Sequence, residues 1–181
     1  MTTKWYSEEE RNEIIAYGQE RGRVILISLL IALILGSLFG IMAQSIIFLL
    51  TFCPLRRYAG GYHASTQERC YVISFVAIVV TFLIIKEAQY NINADILLSV
   101  FNLIIILLLA PVENDNRQLD EDERKRYGNK TKLIAVFIFL LNFFFRWKGY
   151  FYFIIPILAA YSLVSISLIL GYIKFKRIKI L

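Results

Sequence analysis

The sequence has few of the residues that build structural metal sites and disulfide frameworks. Its 181 residues include two cysteines, Cys53 and Cys70, and one histidine, His63. A structural zinc site usually takes four Cys or His ligands, so these three residues are too few. Two cysteines also do not make the disulfide framework of a small secreted domain. We therefore expect no metal and no other cofactor.

Charged residues are missing from five long stretches of the chain. These stretches cover residues 24–55, 70–85, 96–112, 133–145 and 149–173. Hydrophobic residues make up 58% of the sequence, whereas soluble domains are about 45–50% apolar. The excess is concentrated in the uncharged stretches, which predicts an all-α polytopic membrane protein. The net charge of +6 then fits the cytoplasmic face of such a protein. An acidic substrate is the alternative explanation, and nucleic acid is not an expected partner.

The first uncharged stretch is too long for one crossing. It has 32 residues, whereas a membrane helix needs about 20. Gly36, Gly40 and Gln44 near its middle suggest a break, followed by a second helix over about 43–52. We therefore expect six transmembrane helices, or four plus a re-entrant hairpin.

Positive charge predicts the orientation. With six crossings, 17 Lys and Arg residues face the cytoplasm and 3 face outward, as the positive-inside rule requires. Both termini and the loop 54–70 are then cytoplasmic. We expect one domain over 1–181, in which an amphipathic segment 1–23 carries a surface helix that opens with a capping box at Ser7 and Glu10. The membrane region covers 24–173, and a basic tail covers 174–181.

Cys70 and His63 form a candidate catalytic pair seven residues apart. On one straight helix they would lie about 10.5 Å apart along the axis, too far for proton transfer over about 3 Å. A turn must therefore lie between them. Ser65 and Glu68 have capping-box spacing, which predicts a helix beginning at Ser65 with Cys70 in its second turn. His63 would lie in the preceding loop, where Gly60 and Gly61 provide conformational freedom.

The charges around Cys70 favour the reactive thiolate. The positive end of the helix dipole, Arg69 and a protonated His63 would each stabilise the anion. The alternative is structural, since a cysteine at a helix start often serves as a small apolar side chain. His63 would then be an interfacial polar residue. Cys53 lies in an apolar stretch, and we expect it to be structural.

The motif around this pair resembles the accessory gene regulator B (AgrB) family of Gram-positive bacteria. It reads Arg56-Arg57-x-x-x-Gly61-x-His63-Ala64, followed by Cys70 seven residues after the histidine. The chain length, the hydrophobic layout and the charged N-terminal segment are also similar. A second similarity is the Ala-Pro-Val sequence at 110–112, although the stretch 114–119 lacks the proline often found there in the family.

The resemblance implies a cell-membrane cysteine endopeptidase that processes a quorum-sensing propeptide of the AgrD type. Cys70 would be the nucleophile, and His63 the general base and acid. The acidic C-terminal tail of the propeptide would leave, and an acyl-enzyme thioester would remain on Cys70. A cysteine or serine of the substrate would then attack the thioester and close a thiolactone or lactone ring. A homodimer in the lipid bilayer is also implied.

Other site residues are predicted by their chemistry alone. Arg56 and Arg57 would hold an acidic propeptide tail, or else bind lipid phosphates at the interface. Gln67 is a candidate oxyanion donor.

Two other functional classes compete with a peptidase. A small transporter or exporter would carry charged residues within its spans, and the five stretches contain none. A non-catalytic membrane scaffold would tolerate replacement of Cys70 and His63.

Overall fold

A computed structural model describes residues 8, 26–62, 64, 66–113 and 120–178. Within these residues the chain forms six helices and no strand. They are α1 (Leu26–Leu38), α2 (Met42–Ala59), α3 (Gln67–Glu87), α4 (Ile92–Leu109), α5 (Glu121–Trp147) and α6 (Phe151–Ile178). The predicted all-α membrane fold is confirmed. Apart from position 8, the predicted surface helix in segment 1–23 lies outside the described residues.

Four helices, α3 to α6, are long and apolar enough to cross a membrane. Helices α1, described from Leu26 onwards, and α2 form a hairpin that precedes them. The break lies at Gly40, whose φ of 72° suits glycine. At Gly36 a Cβ would overlap the Ser45 side chain, so only glycine lets α1 and α2 approach this closely.

Helix α2 continues past its predicted end near residue 52. It runs through Pro54 to Ala59, although a proline inside a helix removes one backbone hydrogen bond. Leu55 and Ala59 are fully buried in the core, and this packing stabilises the last turns. The loop predicted over 54–70 therefore begins only at Gly60.

Helix α6 lies at the centre of the bundle and packs against α2, α3, α4 and α5. Its buried residues include Ile157, Tyr161 and Leu168, and the Tyr161 hydroxyl donates to the carbonyl of Ala135 on α5 (2.9 Å). The outer helix faces carry large exposed apolar side chains such as Leu108 and Leu133. Such faces suit contact with lipid.

A buried ion pair joins the start of α4 to the end of α5. Arg146 donates to Asp95 from Nε (2.8 Å) and Nη2 (2.6 Å), and Asp95 is only 2% exposed. Ser99 and Asn142 also donate to the carboxylate. The sequence argument that the membrane spans carry no charge is therefore wrong, because these two residues flank the uncharged stretches and yet belong to membrane-spanning helices. We call this side of the bundle the Asp95 end, and the opposite side the Cys70 end.

Candidate active site

Cys70 lies at the end of the first turn of α3. The helix is capped by Thr66, whose hydroxyl accepts a hydrogen bond from the Arg69 amide (3.4 Å). The Cys70 amide donates to the Thr66 carbonyl (3.1 Å). The cap predicted at Ser65 is thus one residue too early, and Cys70 is not in the second turn. The thiol is free and half-buried, so it combines a helix N-terminus with partial access, which is the setting typical of reactive cysteines.

The backbone after α2 is attached to the segment that follows α4. The Val112 amide donates to the Ala59 carbonyl (2.9 Å), and Gly60 forms an isolated β-bridge with Val112. Gly60 has a φ of 71°, and a Cβ there would overlap the Val112 carbonyl. Glycine is therefore required at this position by both backbone conformation and space. Val112 belongs to the Ala-Pro-Val sequence at 110–112, which was noted above as a similarity to the AgrB family. This sequence therefore supplies the backbone that pairs with Gly60.

Two residues further on, the loop is attached to α6. The Tyr62 amide donates to the Ser167 carbonyl (2.8 Å) and hydroxyl (3.2 Å). Gly61 has a φ of 124°, and a Cβ on Gly171 would lie 2.7 Å from the Gly61 carbonyl carbon. Gly60 and Gly61 were predicted to give the loop freedom. Their role in the structure is instead to allow close contact on both sides of a fixed loop.

Arg56, in the last turn of α2, holds this loop. Its guanidinium donates to the carbonyl of Gly60 and to that of Tyr62 (2.7 Å). Burial lowers the pKa of Arg56, whereas negative charge at Cys70 acts in the opposite direction. Cys70 therefore lies near enough to interact electrostatically with an arginine that holds the loop. Sequence reasoning assigned Arg56 to the substrate and missed this contact with the loop backbone; the substrate-binding role stays a prediction.

Arg57 lies outside this arrangement and is exposed. Its guanidinium carbon is 5.7 Å from the centre of the Tyr58 ring, and Lys130 Nζ is 5.1 Å from the same ring. Within the described part of the chain, neither cation has a carboxylate at ion-pair distance. Arg57 is therefore available to bind an anionic group, and its binding to an acidic propeptide tail or to lipid phosphates stays a prediction.

The His63 side chain lies outside the described residues, as do Ser65 and the Gln67 side chain. Both neighbours of His63 are nevertheless fixed, because the Tyr62 backbone is bonded to α6 and Ala64 is buried. In the described part of the chain, no three His, Cys, Asp or Glu residues are close enough together to hold a metal ion. Ser167 and Gly171 support the site but carry no sequence motif that could have identified them.

Comparison with known proteins gives a family match and several relatives. The family model described as accessory gene regulator B matches residues 2–174. A Clostridium perfringens (strain 13) protein called AgrB-like protein 2 is 31% identical over 142 residues, covering 74% of this chain and 66% of the relative. The accessory gene regulator protein B of Staphylococcus intermedius is 32% identical over 108 residues, covering 60% of this chain and 56% of the relative.

A Listeria monocytogenes (serotype 4b, strain F2365) AgrB-like protein is 27% identical over 140 residues, covering 75% of this chain and 66% of the relative. The chain thus spans just under two thirds of the length of the first curated relatives it matches. No solved structure matches the chain.

Proposed function

The chain belongs to the accessory gene regulator B family, and on this basis we propose that it is a membrane cysteine endopeptidase that processes a quorum-sensing propeptide. The family supports a role in the agr quorum-sensing system. The resemblance predicted from the sequence motif is confirmed at the level of the family. The reaction, the substrate and the catalytic residues are the proposal.

The observation that carries the proposal is a free thiol in the first turn of α3, which follows closely on a loop held by hydrogen bonds. Cys70 is half-buried, which leaves it the partial access that a reactive cysteine needs. Arg56 donates to the carbonyl of Tyr62, the residue before His63, and Thr66 after His63 caps the Cys70 helix. Proton transfer between His63 and Cys70 requires such a short, ordered connection.

In the proposed reaction the Cys70 thiolate attacks the carbonyl carbon of the scissile peptide bond. The carbon–nitrogen bond breaks, and the leaving amine takes a proton from the His63 imidazolium. An acyl-enzyme thioester remains on Cys70. A thiol or hydroxyl of the substrate then loses its proton to His63 and attacks the thioester. The carbon–sulfur bond breaks, a thiolactone or lactone forms, and Cys70 is released as a thiolate.

The other residues have supporting roles in this proposal. Arg56 is a positioning residue, because both of its recorded hydrogen bonds go to loop carbonyls. Arg57 is the better candidate for the acidic tail, since it is exposed. Gln67 begins α3, and we retain it as a candidate oxyanion donor. The predicted single domain, cytoplasmic termini, bacterial cell membrane and homodimer belong to the same proposal.

A transporter regains some support from the buried Asp95–Arg146 pair, because charges within spans often mark transport pathways. Both charged groups are bonded to each other, however, and further donors complete the coordination of Asp95. Among the described residues, Asn142 Oδ1 alone is left buried without a partner, and two charges that neutralise each other are suited to joining helices.

The proposal is tested by co-expressing the chain with a propeptide of the AgrD type. Mass spectrometry of cells and medium would follow the cleaved and cyclised peptide. We expect C70A and H63A to abolish processing, and C53A to retain it as the matched cysteine control. Processing by C70A at the wild-type level would refute the proposal that the chain is a cysteine peptidase acting through Cys70. Loss of processing in C53A alone would show that Cys53, and not Cys70, is the nucleophile.

A further inference from the structure

A groove of about 670 Å³ runs along α3 between that helix and its neighbours. Residues of α3, α4 and α6 line it, and most of the lining side chains are apolar. Its α4 lining lies at the Asp95 end and includes Ala94 and Leu98. Towards the Cys70 end the groove is bounded by α3 and α6. Its volume is in the range of ordinary small-ligand sites, which are about 300–1,000 Å³.

The α3 lining of the groove begins within one turn after the proposed nucleophile, at Val72 and Ile73. Ile73 and Ala77 line it, and they follow Cys70 by three and seven residues. Residues at these spacings share one face of a helix, so Cys70 continues the groove-lining stripe by one turn. Ile73 is about 4.5 Å and Ala77 about 10.5 Å further along the helix axis. A substrate residue bonded to the Cys70 sulfur through its carbonyl carbon would have a side chain of suitable length to reach Ile73.

The size and polarity of the groove limit what it can bind. Its α3 lining from Val72 to Ile84 is about 18 Å long. A helix bound along the groove would keep its carbonyl groups in its own hydrogen bonds, so it would not present a scissile peptide bond to Cys70. An extended backbone would leave amide and carbonyl groups unpaired against the mainly apolar walls. A single side chain or an alkyl chain remains.

We infer that the part of this groove nearest Cys70 is the specificity pocket for an apolar side chain. The side chain belongs to the substrate residue whose carbonyl carbon is attacked by Cys70, while the substrate backbone stays at the membrane surface. The inference rests on the proposed function and adds a substrate class, namely propeptides with a large apolar residue before the scissile bond. The shared helix face of Cys70 and Ile73 favours this occupant over a lipid tail, which has no reason to end at Cys70.

The test uses two covalent probes, acetyl-Gly-Leu vinyl sulfone and acetyl-Gly-Gly vinyl sulfone. A thiolate adds to the double bond of each, and the adjacent carbon takes up a proton. The full-length protein in phosphatidylcholine vesicles is treated with each probe, and mass spectrometry gives the rate of Cys70 alkylation. Each rate is divided by that for iodoacetamide on the same variant, which corrects for changes in the thiol itself. We expect the Leu probe to react about tenfold faster than the Gly probe, as a buried apolar side chain allows.

Two variants of exposed isoleucines separate the groove from the rest of the surface. Ile73 and Ile96 are 45% and 44% exposed, but Ile96 does not line the groove. I73W should reduce the preference for the Leu probe to about one, whereas I96W should keep it. I73A should increase reaction with a phenylalanine probe relative to the Leu probe, so the inference does not depend on one bulky variant.

Three results would overturn the inference. They are equal rates for the Leu and Gly probes in the wild type, equal effects of I73W and I96W, and a lipid-only pocket. The last result is tested with a phosphatidylcholine that carries a photoreactive group in its tail and labels groove residues. If the Leu adduct on Cys70 leaves this labelling unchanged, the groove binds lipid and not the substrate side chain. Processing of the propeptide by the wild type but not by C70A would still support the proposed function. Failure of the pocket inference is therefore distinguishable from failure of the proposed function.

Discussion

The two ends of the bundle are held together by different means. At the Cys70 end most contacts involve the backbone, because Gly60 pairs with Val112, Tyr62 bonds to the Ser167 carbonyl, and Arg56 donates to two loop carbonyls. At the Asp95 end the contact is between side chains, and one carboxylate accepts hydrogen bonds from several donors on two helices. The contacts at the Cys70 end position a loop and leave little room for added side-chain atoms. The contacts at the Asp95 end join α4 to α5.

The comparison suggests a division between function and stability. Changes at the Cys70 end should reduce catalysis more than they reduce folding, because few buried apolar groups depend on the loop. Changes at the Asp95 end should reduce folding first, because an unpaired charge inside a membrane protein is costly. Variants at each end test this division.

The largest effect on stability is expected from removing one charge of the buried pair. D95L leaves Arg146 without its carboxylate, and loss of one partner of a buried ion pair costs about 3–5 kcal/mol. We expect a clearly lower unfolding temperature in detergent. The double variant D95L/R146L is the control and should recover most of the loss. If the single and double variants unfold alike, the pair does not act as we describe.

The next largest effect is expected at Gly60, this time on activity. Gly60 and Gly40 have nearly equal φ values of 71° and 72°, but a Cβ overlaps Val112 only at Gly60. G60A should displace the loop and reduce propeptide processing about 100-fold, the scale of a 1 Å misplacement in an active site. G40A carries the same backbone strain without the overlap and should process the propeptide normally. Equal activities would show that the close contact is unimportant.

These two ends also differ in how much of each was readable from the sequence. The fold class and the hairpin break at Gly40 follow from hydrophobic run lengths and glycine positions. Cys70 and its helix follow from the local motif. The loop contacts with Val112 and Ser167 join residues about 50 and 105 positions away in sequence, and no local pattern indicates them. The Asp95–Arg146 pair was missed because each residue lies just outside an uncharged stretch, where it resembles an ordinary interfacial charge.

A smaller effect is expected at the helix cap before Cys70. T66A removes the side-chain acceptor for the Arg69 amide and should cost about 1 kcal/mol of stability. D120A removes the equivalent acceptor at the start of α5 and should cost a similar amount. Only T66A should also slow alkylation of Cys70, by a few fold, since its cap is the one that orders the thiol. Equal alkylation rates in the two variants would show that the Thr66 cap does not affect the reactivity of the Cys70 thiol.

The smallest effect is expected at Ser167. S167A removes the hydroxyl that accepts from the Tyr62 amide, but the stronger bond to the Ser167 carbonyl remains. The cost should stay below about 1 kcal/mol, and processing should fall by no more than a few fold. S37A, at an exposed serine of α1, is the control. A loss as large as that in G60A would mean that the side chain, and not the backbone, holds the loop to α6.

The proposed function depends on Cys70 carrying the acyl group of the propeptide during processing. Isolating the chain after co-expression with the propeptide and mapping its covalent adducts by mass spectrometry would detect this acyl group. We predict an acyl adduct on Cys70 that hydroxylamine releases, with none on Cys53 and none in C70A. An adduct on Cys53, or full processing by C70A, would contradict the account.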